Sequence, residues 1–73
     1  MELKWLDWQG SSWLHDPMTD RKYAWVQPYP DLGYSVLIWN RALGRQGDWE
    51  RIAHAPDVDA AKMIAQLNVN QER

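Results

Sequence analysis

Through the middle of the chain, short runs rich in apolar and β-forming residues are separated by turn residues, as in antiparallel strands. Near the C-terminal end a period of about 3.6 takes over. The clearest strand is Tyr34 to Arg41. Successive strand side chains point to opposite faces. Tyr34, Val36, Ile38 and Asn40 therefore share one face, and Ser35, Leu37, Trp39 and Arg41 the other. Bulky apolar groups on both faces predict a central strand. Arg21 to Gln27, rich in β-formers, predicts a second strand. Trp49 to His54 predicts a third, with Trp49, Arg51 and Ala53 opposite Glu50, Ile52 and His54. Turn residues separate these segments: Asp16-Pro17 with Thr19-Asp20, then Pro28 to Gly33, then Gly44 to Asp48. In the first twenty residues, Leu3 to Trp8 and Ser12 to His15 each suit a strand. Gln9-Gly10-Ser11 is either a turn between them or a kink in one bent edge strand.

Pro56 and Asp57 predict the start of a helix over about residues 57–68. Asp57 suits the N-cap, and Asp59 faces the positive end of the helix dipole. Ala60, Met63, Ile64 and Leu67 recur at helical spacing, widened by Val58, Ala61 and Ala65. Asp59, Lys62 and Gln66 lie opposite, and the helix is expected to fray over Asn68 to Asn70. The predicted fold class is α+β. A three- to four-stranded antiparallel β-meander, its strands within residues 3–54, carries one C-terminal α-helix packed on one face. Residues 1–73 are expected to form one domain, since a chain this short supports one core about two layers deep. That depth excludes a dinucleotide-binding fold or a cleft between domains.

Composition changes this picture in one respect. The chain has six Trp and three Tyr but no Phe. Trp and Tyr have an apolar body and a polar edge, which suits positions packed on one side and wet on the other. The same residues also suit the rim of a thin core. Without cysteine there is no disulfide framework, zinc finger or thiol chemistry. The net charge of −2 makes a polyanion ligand no default. Charge is uneven: residues 1–20 sum to −3, 21–55 to +2 and 56–73 to −1. The N-terminal stretch lacks the basic and apolar regions of a signal peptide. The longest strongly apolar run, Val36 to Trp39, is far too short to span a bilayer. A cytoplasmic location without membrane contact is expected.

No motif predicts an enzyme, a cofactor or a metal site. Ser11, His15 and Asp16 are neighbours on a turn, where a nucleophile, base and orienter rarely converge. His15 and His54, even with Asp16, Asp57 or Asp59, have no metal-ligand spacing. Gly44 and Gly47 are followed by no Lys-Ser/Thr pair and no helix, so they make no phosphate loop.

Binding is the expected role. One helix covers one sheet face, and the other must meet water or a partner. Alternation assigns neither face to the helix. The candidate contact residues are Trp25, Trp39, Arg41, Arg45 and Trp49, with Tyr23 and Tyr34 next. Trp, Tyr and Arg are the types enriched in binding hot spots. An alternative is nucleic-acid binding through Arg41, Arg45 and Arg51, which could instead pair with Asp48 and Glu50. A third reading is self-association, through the open face or an edge strand, to give a homodimer.

The segments Tyr34-Ser35-Val36-Leu37-Ile38-Trp39, Trp49-Glu50-Arg51-Ile52 and Pro56-Asp57-Val58-Asp59-Ala60-Ala61-Lys62 resemble a pattern common in very small phage and prophage accessory proteins. There, a Trp- and Tyr-bearing meander ends in a strand, a short turn and an Ala-rich helix. The resemblance covers about two thirds of the chain. The arrangement is also similar to the arm-binding domain of phage integrases and to plant transcription-factor domains that read DNA with a sheet. Those domains have a more basic sheet than this chain. Many phage-type proteins of this size, anti-CRISPR proteins among them, block host enzymes by occupancy. The resemblance implies a steric inhibitor of a host protein complex, such as a defence system, in the host cytoplasm.

Overall fold

In the computed structural model, which describes residues 2–71, the strands pair in chain order. Strands β1 (Lys4–Trp8), β2 (Ser11–His15), β3 (Lys22–Tyr29), β4 (Gly33–Asn40) and β5 (Asp48–Ala55) form one antiparallel sheet of order β1-β2-β3-β4-β5. Helix α1 (Val58–Gln71) follows. The expected α+β class holds, but the strands number five because residues 4–15 fold as a hairpin, not as one bent strand. Gln9 and Gly10 have φ of 51° and 79°. Two successive positive angles make a type I′ turn, whose twist matches that of the strands it joins. Pro28 and Tyr29, expected in the next turn, extend β3 and pair with Tyr34 and Gly33. The last pair between β2 and β3 is Ser12 with Val26, so Pro28 sits where β3 has one open edge, the setting in which strands tolerate proline.

Strand β5 departs from simple alternation. Val36 pairs with Ala53, but Leu37 pairs with Arg51, so Ile52 is the extra residue of a β-bulge. The expected grouping of Trp49, Arg51 and Ala53 breaks there. Trp49 and Arg51 share a face with His54, and Ala53 lies on the other.

Helix α1 packs mainly on β3, β4 and β5. The core beneath it joins Leu14, Ala24, Val26, Val36, Ile38 and Ala55 of the sheet to Ala61, Ala65 and Val69 of the helix. The apolar helix face expected from Met63 and Leu67 needs correction, for these side chains are 65% and 56% exposed. Ala61, Ala65 and Val69, four residues apart, are buried instead, with Val58, Ala60 and Ile64 at the rim. Small side chains let the helix approach the sheet closely, which turns the bulkier stripe outward. The helix also passes its expected end. Asn68 Nδ2 donates to the Ile64 carbonyl at 2.9 Å, and buried Val69 anchors the last turn. At the other end Asp57 Oδ1 accepts the Ala60 N–H at 2.8 Å, the expected cap. Among the described residues no helix is long and apolar enough to cross a membrane.

Candidate functional site

The face carrying Val36 and Ile38 belongs to the helix. Among the described residues, no element covers the opposite face in this way. One row of paired residues crosses it through all five strands: Leu6, Trp13, Trp25, Leu37 and Arg51. Trp39 and Trp49 pair beside this row. Directly opposed side chains on one face lie within contact distance, and here four indoles join. Trp13 and Trp25 stack with centroids 4.5 Å apart and planes 11° from parallel. Trp49 meets both edge-on, at 5.9 and 5.8 Å, and meets Trp39 at 5.4 Å. The rings shelter Leu37, which is buried although no helix lies over it.

This layer is unfinished. Trp13, Trp25, Trp39 and Trp49 are each only half-buried. At its β1 side Leu6 is 42% and Trp8 64% exposed. Trp25 Nε1 is buried with no acceptor among the described residues, a cost that a layer built for stability alone would avoid.

Cations frame the indoles. Lys4 and Lys22 lie at the two ends of one row of the open face, with His15 between them. Arg21, Lys22 and Arg41 line a shallow depression of about 420 Å³ with Trp39, Trp49 and one carboxylate, Asp20. Lys22 Nζ lies 3.8 Å from that carboxylate, which partly offsets it. The Arg51 guanidinium lies over the Tyr29 ring at 5.1 Å, and His54 meets the same ring edge-on. Asp7 and Glu50 point to the helix side, since they pair with Ser12 and Ile38 there. Asp48, opposite Asn40, shares that side. Arg51 therefore lies across the sheet from Asp48 and Glu50, the carboxylates with which it could have paired. A chain of net −2 presents a basic, aromatic face.

Trp25, Trp39 and Trp49 come together as candidates, with Arg41 at the rim and Arg51 in the central row. Arg45 is exposed in the β4–β5 loop, outside the lining of the depression. Tyr23 and Tyr34 are corrections: both pack against the core on the helix side. Tyr34 alternates with Val36, and the register shift between Leu14 and His15 carries Tyr23 to that side. Trp13, Leu6, Trp8 and Lys22 were missed. The alternation of Trp13 with buried Ser12 and Leu14 carries the signal, once residues 11–15 are taken as a strand.

Asp16 Oδ1 accepts the Met18 N–H at 2.9 Å and so fastens its own turn. His15 Nδ1 is 3.5 Å from Asp20 Oδ1. Ser35 Oγ is 3.3 Å from His54 Nδ1, and Ser35 is fully buried. Among the described residues, no three His, Cys, Asp or Glu side chains are grouped to hold a metal. Comparison of the chain with protein-family models, curated proteins and solved structures gives no match.

Proposed function

We propose that the chain is a non-enzymatic binding module that docks its tryptophan-faced sheet on an acidic patch of another protein. The observation that carries this reading is the coincidence of a half-buried indole layer with a cationic frame, on the one face that the helix leaves open. Desolvated Trp anchors surrounded by charged groups are the anatomy of a hot spot. The cations steer and orient, and the indoles supply buried contact. A module of this kind acts by occupancy, covering a substrate site or assembly surface of its partner. The resemblance to small phage accessory proteins supplies a setting: inhibition of a host defence complex in the cytoplasm. Nucleic acid fits the cations but suits the rings less well. Base stacking needs free aromatic planes, and Trp13 and Trp25 already cover one plane of each other.

The test titrates the protein with two defined probes, a short peptide alternating Glu with Leu and a single-stranded oligonucleotide. The readout is the indole N–H resonances. Peptide binding is expected to move Trp13, Trp25, Trp39 and Trp49, to weaken at least about tenfold in Arg51→Glu and Trp49→Ala, and to survive Asp59→Lys on the helix. Indoles unmoved by the peptide would overturn the proposal. So would saturable oligonucleotide binding that displaces the peptide and falls steeply with salt, which would hand the face to nucleic acid.

A further inference from the structure

Strand β1 is an edge of the sheet, and its free side has a definite hydrogen-bonding pattern. The two-residue turn at Gln9-Gly10 is closed by the pair Trp8 and Ser11. Such a turn is closed by a hydrogen-bonded pair, and these pairs recur at every second residue of an antiparallel ladder. Trp8, Leu6 and Lys4 therefore spend their backbone groups on β2. Trp5 and Asp7 point their N–H and C=O groups away from the sheet. Natural edges are blunted by short length, charged side chains, proline, bulges or a covering element, and β1 has the first two, being five residues long with Lys4 and Asp7. Strand β1 has no proline and pairs with β2 without a register shift, whereas the opposite edge, β5, carries the Ile52 bulge.

Its side chains complement their own copy. With two β1 strands antiparallel about Leu6, Trp5 lies opposite the second copy's Asp7, and both present free backbone groups, so four ladder hydrogen bonds form. Leu6 meets Leu6 on the axis. Lys4 lies opposite Trp8, which places an ammonium beside the most exposed indole of the open face. On the helix side, the Lys62 ammonium sits over Trp5 at 5.2 Å and 3.4 Å from Asp7. The pairing brings the second copy's carboxylate toward that same cation. A shift by one pair toward the turn would instead oppose Asp7 to Asp7. The charges that discourage a foreign strand thus find partners in this register and lose them in the one shifted toward the turn.

We infer that β1 pairs with β1 of a second copy to give a two-fold dimer with a continuous ten-stranded sheet. Both tryptophan faces then lie on one side and both helices on the other, so the dimer presents the docking face twice.

The test is mass by light scattering, with amide hydrogen exchange, from about 10 μM to about 1 mM, the range suited to a small interface. Doubling of the mass is expected, with the Trp5 and Asp7 amides gaining at least about tenfold protection as concentration rises. Leu6 and Trp8 amides are protected throughout. Leu6→Lys, which sets two ammonium groups on the axis, is expected to restore the monomer. Trp49→Ala, on the far edge, is expected to leave the dimer intact. A monomer at the highest concentration would overturn the inference. So would a dimer indifferent to Leu6→Lys, a dimer lost in Trp49→Ala, or Trp5 and Asp7 amides that exchange equally fast at all concentrations. None of these readouts depends on peptide binding by the tryptophan face.

Discussion

Gly47 lies against the Trp39 indole so closely that an added Cβ would sit 2.7 Å from its Nε1. Its φ of 99° is also one that side-chain-bearing residues rarely adopt. Gly47→Ala is therefore expected to cost about 2 kcal/mol in denaturant unfolding and to disturb the Trp39 resonance. A loss under about 0.5 kcal/mol would mean that the loop yields freely. Asp7 makes a different kind of contact. The hydrogen bond from Ser12 Oγ is the main cause holding its carboxyl below the ordinary value of 3.8; partial desolvation opposes this, and Lys62 adds to it. A carboxyl depressed in the folded state adds stability above the unfolded pKa, and that stability fades as pH falls through the folded value. Ser12→Ala is expected to be less stable than the parent at neutral pH. The gap should narrow as pH drops below 3.8. A gap that stays constant with pH would show that the serine acts through packing alone.

At the scale of elements, the helix and its sheet are matched by smallness. Ala61 and Ala65 are fully buried against the sheet, whereas Met63 faces water. Ala65→Leu is expected to lower stability by about 1–3 kcal/mol, because added methylenes must push the helix off the strands. Met63→Ala is expected to change it by less than about 0.5 kcal/mol. The reverse order in chemical unfolding would mean that the helix packs through its bulky stripe. The existence of α1 and its Asp57 cap were legible in the sequence, because spacing and capping are local. Its buried face was not: Ala60-Met63-Ile64-Leu67 and Ala61-Ala65-Val69 both recur at helical spacing, and closeness of approach chose between them. The β5 bulge left only a faint mark, the like pairs Glu50-Arg51 and Ile52-Ala53, and its position was fixed by the pairing with β4.

On the scale of the whole molecule, the sheet has two apolar layers and, among the described residues, one helix. The covered layer holds Leu, Val, Ile and Ala, and the uncovered layer closes partly on itself through its indoles. The stacked pair at 4.5 Å is expected to give an exciton couplet in circular dichroism near the indole absorption band. Trp13→Phe or Trp25→Phe should remove most of it, and Trp8→Phe should leave it. A couplet unchanged by the first two substitutions would show that the rings do not stack in solution. Alternation, turn residues and capping determined the strands of the middle, the helix and the presence of large rings on both sides of β4, because each depends on residues close along the chain. Only tertiary structure decided which side the helix covers, that Tyr23 and Tyr34 fall beneath it, and that Trp13 joins Trp25. It also set Lys4, Lys22, Arg41 and Arg51 of an acidic chain on or beside the open face. Those outcomes depend on strand register and on one bulge, and register places side by side residues that are far apart in the sequence.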